Sequence, residues 1–401
     1  MLNYSIGAFM FFLISDLADL RFPCNFKLTE NRWLNSDEGW MRLSDNFYFK
    51  GYCMESFNYT DLMDDPTPRH FGNFAAIFVQ DNNIVITHDR ERSFPLYHDI
   101  VTNAVGNIGL SQNNKIGSNS LVSILSNGDI IQNFIKIPYS FDNELTIDNA
   151  VEIIYEKLIK HFTWLKNNCP VVPKIFFTGG IDTMLCLAML RNLDIAHDLL
   201  VCEHYDLDHF TSKFRYQISQ NWGYAQIHHW NNDSWLISGA MGDETFLRGP
   251  SAINMILMNR GKNIAELIKN SDYHYQYFNA DKNLKIYTEQ QNDPKLKIYT
   301  KNINHLYKRI VEINLNDYQH WHLGKTITFT PFKDISILTT ILSMDNNSLD
   351  LQMADAQLQK KLIAKAAPEL LKYLMPQKNI DADSSIATVW ELYKDLYNGT
   401  A

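Results

Sequence analysis

The chain has 401 residues, more than the roughly 250–300 that one hydrophobic core serves, so two domains are expected. Hydrophobic residues make up 45%, charged 20% and aromatic 13%, a mix that excludes a largely disordered chain. The formal net charge of -9 and the lack of basic clusters argue against nucleic acid as a partner.

The apolar stretch Ile6–Ile14 is shorter than the ~20 residues of a membrane span. No basic residue precedes it and Asp16 follows, so it reads as a buried strand and not a signal peptide. Ser5–Leu13, Asn46–Tyr52, Phe74–Val79 and Ile84–His88 are rich in β-branched and aromatic residues, which predicts strands. The polar run Gln80-Asp81-Asn82-Asn83 makes Phe74–His88 a hairpin. Gln112–Asn143 is polar, with little core signal, and reads as a boundary between domains at 1–143 and 144–401. Cys24, Cys53, Cys169, Cys186 and Cys202 form no C-x-x-C pair, which suits reduced thiols and a cytoplasmic setting.

Val151, Ile154, Leu158, Ile159 and Phe162 give one apolar face to a helix over Asp148–Lys166. Strands are predicted at Val171–Phe177, Leu199–Cys202, Ala225–Trp230 and Trp235–Ser238, with helices at Met184–Asn192 and Ser212–Asn221. Strand–helix alternation of this kind predicts a doubly wound parallel sheet. From Ala252 onward the pattern is mainly helical, and LKIYT occurs twice, at Leu284–Thr288 and Leu296–Thr300, as in a hairpin.

The segment Thr178-Gly179-Gly180-Ile181-Asp182-Thr183 joins a predicted strand to a predicted helix. Two glycines let backbone N–H groups approach an anion, and the helix N-terminus adds positive potential, which together suit a phosphate or pyrophosphate. Thr178 and Thr183 bring hydroxyl donors, and Asp182 a carboxylate suited to Mg²⁺. Taken alone, the same residues fit an ordinary strand–helix turn. Ser238-Gly239-Ala240-Met241-Gly242-Asp243-Glu244 also follows a strand, where open α/β sheets bind ligands. Asp182 and Asp243 could therefore converge on one Mg²⁺ carrying a triphosphate, or Asp243 and Glu244 could simply offset a helix dipole. Glu203–His209 holds metal-capable side chains without a zinc spacing, and no G-x-S-x-G elbow occurs.

Thr178–Thr183 resembles the S-G-G-x-D-S pyrophosphate loop of N-type ATP pyrophosphatases, and Ser238–Glu244 the S-G-E-G-x-D-E segment of asparagine synthetases. Gly72-Asn73-Phe74-Ala75, Asp89-Arg90 and Pro95-Leu96-Tyr97 resemble that family's amidotransferase domain, and Thr330-Pro331-Phe332-Lys333-Asp334 its V-P-F-L-D segment. The collinear set resembles the asparagine synthetase and β-lactam synthetase family. The resemblance implies an N-terminal β-sandwich of the Ntn-hydrolase type, then an α/β domain of the adenine nucleotide α-hydrolase type. It implies an ATP-dependent ligase that adenylates a carboxylate, releases pyrophosphate and passes the acyl group to an amine. Thr178, Gly179, Gly180, Asp182 and Thr183 would hold the pyrophosphate end of ATP, Ser238 and Gly239 the adenylate, and Asp182 and Asp243 Mg²⁺. Lys378, in Leu374-Met375-Pro376-Gln377-Lys378, matches a catalytic cation, with Lys360 and Lys361 as competitors and a solvated helix end as the plain alternative.

The implied partner is a small molecule or peptide bearing a carboxylate and an amine, with no nucleic acid and no membrane. A homodimer is left open. The sequence departs from the family in three places. Leu2 stands where the glutaminase cysteine would be, Lys50-Gly51-Tyr52 keeps only the glycine of the N-G-E segment, and Ala240 replaces a glutamate. These departures resemble β-lactam synthetases and lasso-peptide cyclases, and imply a first domain without glutaminase activity. Two other readings stay open: a different adenylating enzyme of the same fold, such as a nucleotide- or base-modifying one, and a non-catalytic binding protein.

Overall fold

The computed structural model describes residues 12–20, 22–36, 39–55, 72–88, 96–99, 103–106, 120–134, 144–177, 179–200, 235–239, 241–248, 327–374, 391–392 and 395–396. These residues fall into two compact units.

The first unit is built on antiparallel strands. They are β1 (Phe12–Ser15), β2 (Cys24–Thr29), β3 (Arg32–Ser36), β4 (Met41–Ser44), β5 (Phe47–Cys53), β6 (Gly72–Gln80), β7 (Asn83–His88), β8 (Tyr97–Asp99), β9 (Ala104–Gly106), β10 (Ser120–Ile124) and β11 (Ile130–Phe134). One sheet runs β2-β3-β1-β9-β8 and the other β11-β10-β7-β6-β5-β4. Phe12, Ile14, Leu28 and Leu34 of the first sheet share a core with Tyr48, Ala75, Ile77, Ile86, Val122 and Ile124 of the second. Period-2 alternation explains the match, since every second residue of a strand faces the core. On the reverse face of the second sheet, Phe49, Phe74, Ala76, Phe78 and Val85 form a separate cluster.

The β6–β7 hairpin closes more tightly than the polar run suggests. Gln80 pairs with Asn83, and Asp81 and Asn82 both have positive φ, the two-residue I′ turn whose twist suits flanking strands. The region expected to be a boundary contains a second hairpin, β10–β11, paired from Ser120↔Phe134 to Ile124↔Ile130. Among its described side chains, Val122 and Ile124 are buried in the core and Ile130 packs partly buried against it. Tyr52 of β5 lies against the Trp235 and Phe329 rings, at centroid distances of 5.7 and 5.6 Å. These belong to β14 (Trp235–Ile237) and β15 (Ile327–Phe329), and β15 was not expected from sequence.

The second unit contains β12 (Lys174–Phe176) and β13 (Asp198–Leu200), which pair in parallel. Its described helices are α1 (Ile147–Asn168), α2 (Ile181–Asn192), α3 (Gly242–Thr245), α4 (Ile335–Leu342), α5 (Asn346–Asp355) and α6 (Gln357–Ala366). α1 starts at Thr146, whose hydroxyl accepts the Asn149 N–H, and buries one stripe from Ile147 to Leu165. α2 is apolar all round, with Met184 through Leu190 fully buried, so it is the central helix of the unit. It begins at Ile181, earlier than the apolar pattern suggests, because Gly180 caps it without a side chain. α6 packs along α2 and α1. The expected helix Ser212–Asn221, strand Ala225–Trp230 and both LKIYT copies lie outside the described residues.

Asp334 ties α4 to α1. Its Oδ1 accepts the Ser336 N–H at 2.8 Å and the Ser336 hydroxyl at 2.6 Å, and its Oδ2 lies 2.7 Å from Nε2 of buried His161. Burial alone would raise Asp334, but these hydrogen bonds and the His161 charge together hold its carboxyl down at about 2.

Candidate functional site

Between β12 and α2 the chain turns through Gly179, at φ +74, where only glycine is unstrained. Gly180 then caps α2 with no side-chain hydrogen bond of its own. The Thr183 hydroxyl donates to Gly180 O at 2.9 Å.

The segment after β14 lies directly on this turn. A Cβ added at Gly239 would sit 2.7 Å from Thr183 N and 2.9 Å from Asp182 C. A Cβ at Gly242 would fall inside the Asp182 carboxylate. Close backbone approach therefore requires glycine at 239, the Asp182 carboxylate fills the space beside Gly242, and the two strand-end segments form one structure. Ser238, fully buried, accepts a weak Cys186 Sγ contact at its carbonyl, 3.9 Å away. Burial pushes the Cys186 thiol well up, with the Asp182 charge adding to it.

Two non-glycine residues with positive φ flank α3, Met241 at +66 and Leu247 at +55. Leu247 stands where helices commonly end on a left-handed glycine, and the next residue, Arg248, donates its N–H to Asp243 O at 2.8 Å. That closure turns the Arg248 side chain back over its own helix. Its guanidinium, 1% exposed, pairs with Asp182 Oδ2 and with Asp243 Oδ1, the latter at 2.6 Å.

The other Asp182 oxygen is also engaged. Gln359 Nε2 donates to Asp182 Oδ1 at 3.1 Å, and Gln359 Oε1 accepts from Gln352 Nε2 at 2.7 Å. Gln352 in turn donates to Phe246 O and accepts the Leu358 N–H, each at 2.8 Å. Ala356, at φ +52 between α5 and α6, sets the corner that turns both amides toward α2. Burial raises the Asp182 carboxyl to about 6, against the lowering by Arg248 and with further raising by Asp243. The Thr330–Asp334 segment supports the far side: Thr245 Oγ1 donates to Phe332 O at 2.6 Å, and Phe246 and Phe332 meet edge-on at 5.4 Å.

Gly179, Gly180, Asp182, Thr183, Ser238, Gly239 and Asp243 thus gather at one end of α2, while Thr178, Ala240 and Lys378 lie outside the described residues. Sequence reasoning missed Arg248, Gln352 and Gln359. Arg248 had a signal, a lone cation between Phe246-Leu247 and Gly249-Pro250. The glutamines had a weaker one, at core-facing positions beside Met353, Leu358 and Leu362.

A Mg²⁺ ion takes octahedral oxygen ligands from one or two carboxylates with free lone pairs. Here both carboxylates face a guanidinium and Asp182 also faces an amide, so the pair as arranged does not fit the ion. Among the described residues no group of three His, Cys, Asp or Glu side chains is placed to hold a metal. Among them, too, no helix is long and apolar enough to cross a membrane. A groove lined by Leu165, Cys169, Val171, Val172 and Ile195 lies where the chain enters β12, opposite the strand end at which such sheets bind ligands.

A scan against protein-family models matches none of them, and a search of curated proteins finds no similar chain.

Proposed function

We propose that the second unit binds ATP at the α2 N-terminus and that the protein is an AMP-forming amide ligase. The observation that carries this reading is the contact of Gly239 with Thr183 N and Asp182, which puts both glycine-bearing segments against one helix N-terminus. A substrate carboxylate oxygen attacks the α-phosphorus of ATP, the bond to the β-phosphate oxygen breaks, and pyrophosphate leaves. An amine nitrogen then attacks the acyl carbon, the bond to AMP breaks, and the amine proton passes to solvent. The first-turn N–H groups of α2 and the Gly179-Gly180 turn stabilise charge on the departing pyrophosphate, and Ser238-Gly239 lies beside the adenylate. Lys378 is the candidate cation at the reacting carboxylate.

ATP–pyrophosphate exchange over a panel of carboxylates tests this, with Asp182→Asn as the blank. Label entering ATP above the blank supports the ligase. Exchange no greater than the blank across the panel refutes it.

One observation favours a second reading, a nucleotide-binding protein that retains the fold without catalysis. Arg248 closes the two carboxylates of the site on a fixed internal cation. Calorimetric ATP binding together with blank-level exchange is the outcome that selects it.

A further inference from the structure

We propose that Arg248 is the resident cation of this site, standing between Asp182 and Asp243 in place of a divalent metal. The inference deepens the ATP reading and rests on it only for the identity of the ligand; the choice of cation rests on geometry.

Arg248 is fixed from both ends. Its backbone N–H is tied to Asp243 O, and left-handed Leu247 turns its side chain inward. Its guanidinium is buried and reaches one oxygen of each carboxylate. Asp182 cannot swing away, because its carboxylate sits in the space left by the missing Cβ of Gly242 and is held at Oδ1 by Gln359. A dication entering between the carboxylates would meet a desolvated positive charge and no open oxygen pair. Both contacts come from one guanidinium nitrogen, Nη2, so a single buried donor bridges the two carboxylates, and a guanidinium keeps its charge at every working pH. The cluster Asp182–Arg248–Asp243 then carries a net charge of one negative unit instead of two. That lowers the repulsion a phosphate would feel at the α2 N-terminus, and the charge is supplied by the chain itself. The ligand class that follows is a nucleotide polyphosphate bound without a protein-held metal.

The test is Mn²⁺ titration followed by the electron paramagnetic resonance signal of the free ion. Wild type is expected to show no site that Asp182→Asn abolishes. Arg248→Met, which removes the charge and keeps much of the volume, is expected to tighten Mn²⁺ binding by roughly tenfold or more. Adding Asp182→Asn to that variant is expected to erase the gain. A wild-type Mn²⁺ site lost in Asp182→Asn overturns the proposal. So does a folded Arg248→Met with no gain. If Arg248→Met does not fold, Asp243→Asn, at an exposed carboxylate, is compared with wild type, and a loss of Mn²⁺ binding there overturns it equally. ATP calorimetry in EDTA and in Mg²⁺ separates the two claims: ATP failing to bind in either buffer removes the nucleotide reading, while the Mn²⁺ result still decides the role of Arg248.

Discussion

Replacing Asp334 with alanine removes a helix cap and the carboxylate partner of a buried histidine in one step. The cap contributes about 1 kcal/mol, judged from N-cap substitutions in general. The hydrogen bond to His161, which is 3% exposed, adds about 2 kcal/mol because its ring nitrogen is left buried without the carboxylate. The expected loss at pH 7 is therefore about 3 kcal/mol. The same hydrogen bonds also make the Asp334 contribution depend on pH. Its carboxyl is lowered from 3.8 to about 2, so the group contributes stability above the unfolded value and loses it as pH falls through the folded one. That difference is worth about 2 kcal/mol at neutral pH, and about half of it is gone by pH 3. The assay is urea unfolding followed by far-ultraviolet circular dichroism, since the described helices all belong to this unit. The gap between wild type and Asp334→Ala should narrow by about 1 kcal/mol between pH 7 and pH 3. A gap under about 1 kcal/mol at pH 7, or one that does not change with pH, refutes the reasoning.

Gly242→Ala drives a Cβ into the Asp182 carboxylate and should cost about 1–3 kcal/mol, read as a lower melting temperature; an unchanged melting temperature counts against the close approach. Gln359→Leu takes the amide from Asp182 Oδ1 and from Gln352 and should destabilise by about 1–3 kcal/mol in the same unfolding assay, with a neutral effect refuting the chain of amides. Cys186, fully buried with its thiol held well above the usual range, should react with a thiol reagent only on unfolding, whereas partly exposed Cys169 should label in the native state; native labelling of Cys186 refutes its packing.

Local pattern carries some of this molecule and not the rest. The β6–β7 hairpin was legible because both strands are apolar on both faces and flank a short polar run. β10 and β11 were not, because Ser120, Ser123, Gln132 and Asn133 interrupt the apolar pattern along both strands. α1 was legible from its stripe, while the start of α2 was not, because a glycine cap leaves no side-chain signature. At the candidate site, the glycine and aspartate positions follow from what a phosphate turn needs. The partners of Asp182 do not, since Arg248 and Gln359 lie 66 and 177 residues away along the chain. No periodicity encodes a contact of that kind; it exists only once α6 has packed on α2.

The buried amides run head to tail. Leu358 N–H feeds Gln352, Gln352 feeds Gln359, and Gln359 ends on the Asp182 carboxylate. Reversing either amide would set NH₂ against NH₂ or oxygen against oxygen, so backbone at one end and charge at the other fix both orientations. The α5–α6 corner is thus a tie rod, and its length sets where the carboxylate stands. Inserting or deleting one residue beside Ala356 would rotate an amide off the line and release Asp182, with no change to any residue at the helix end itself. The tolerance of the site is decided at a bend between two other helices.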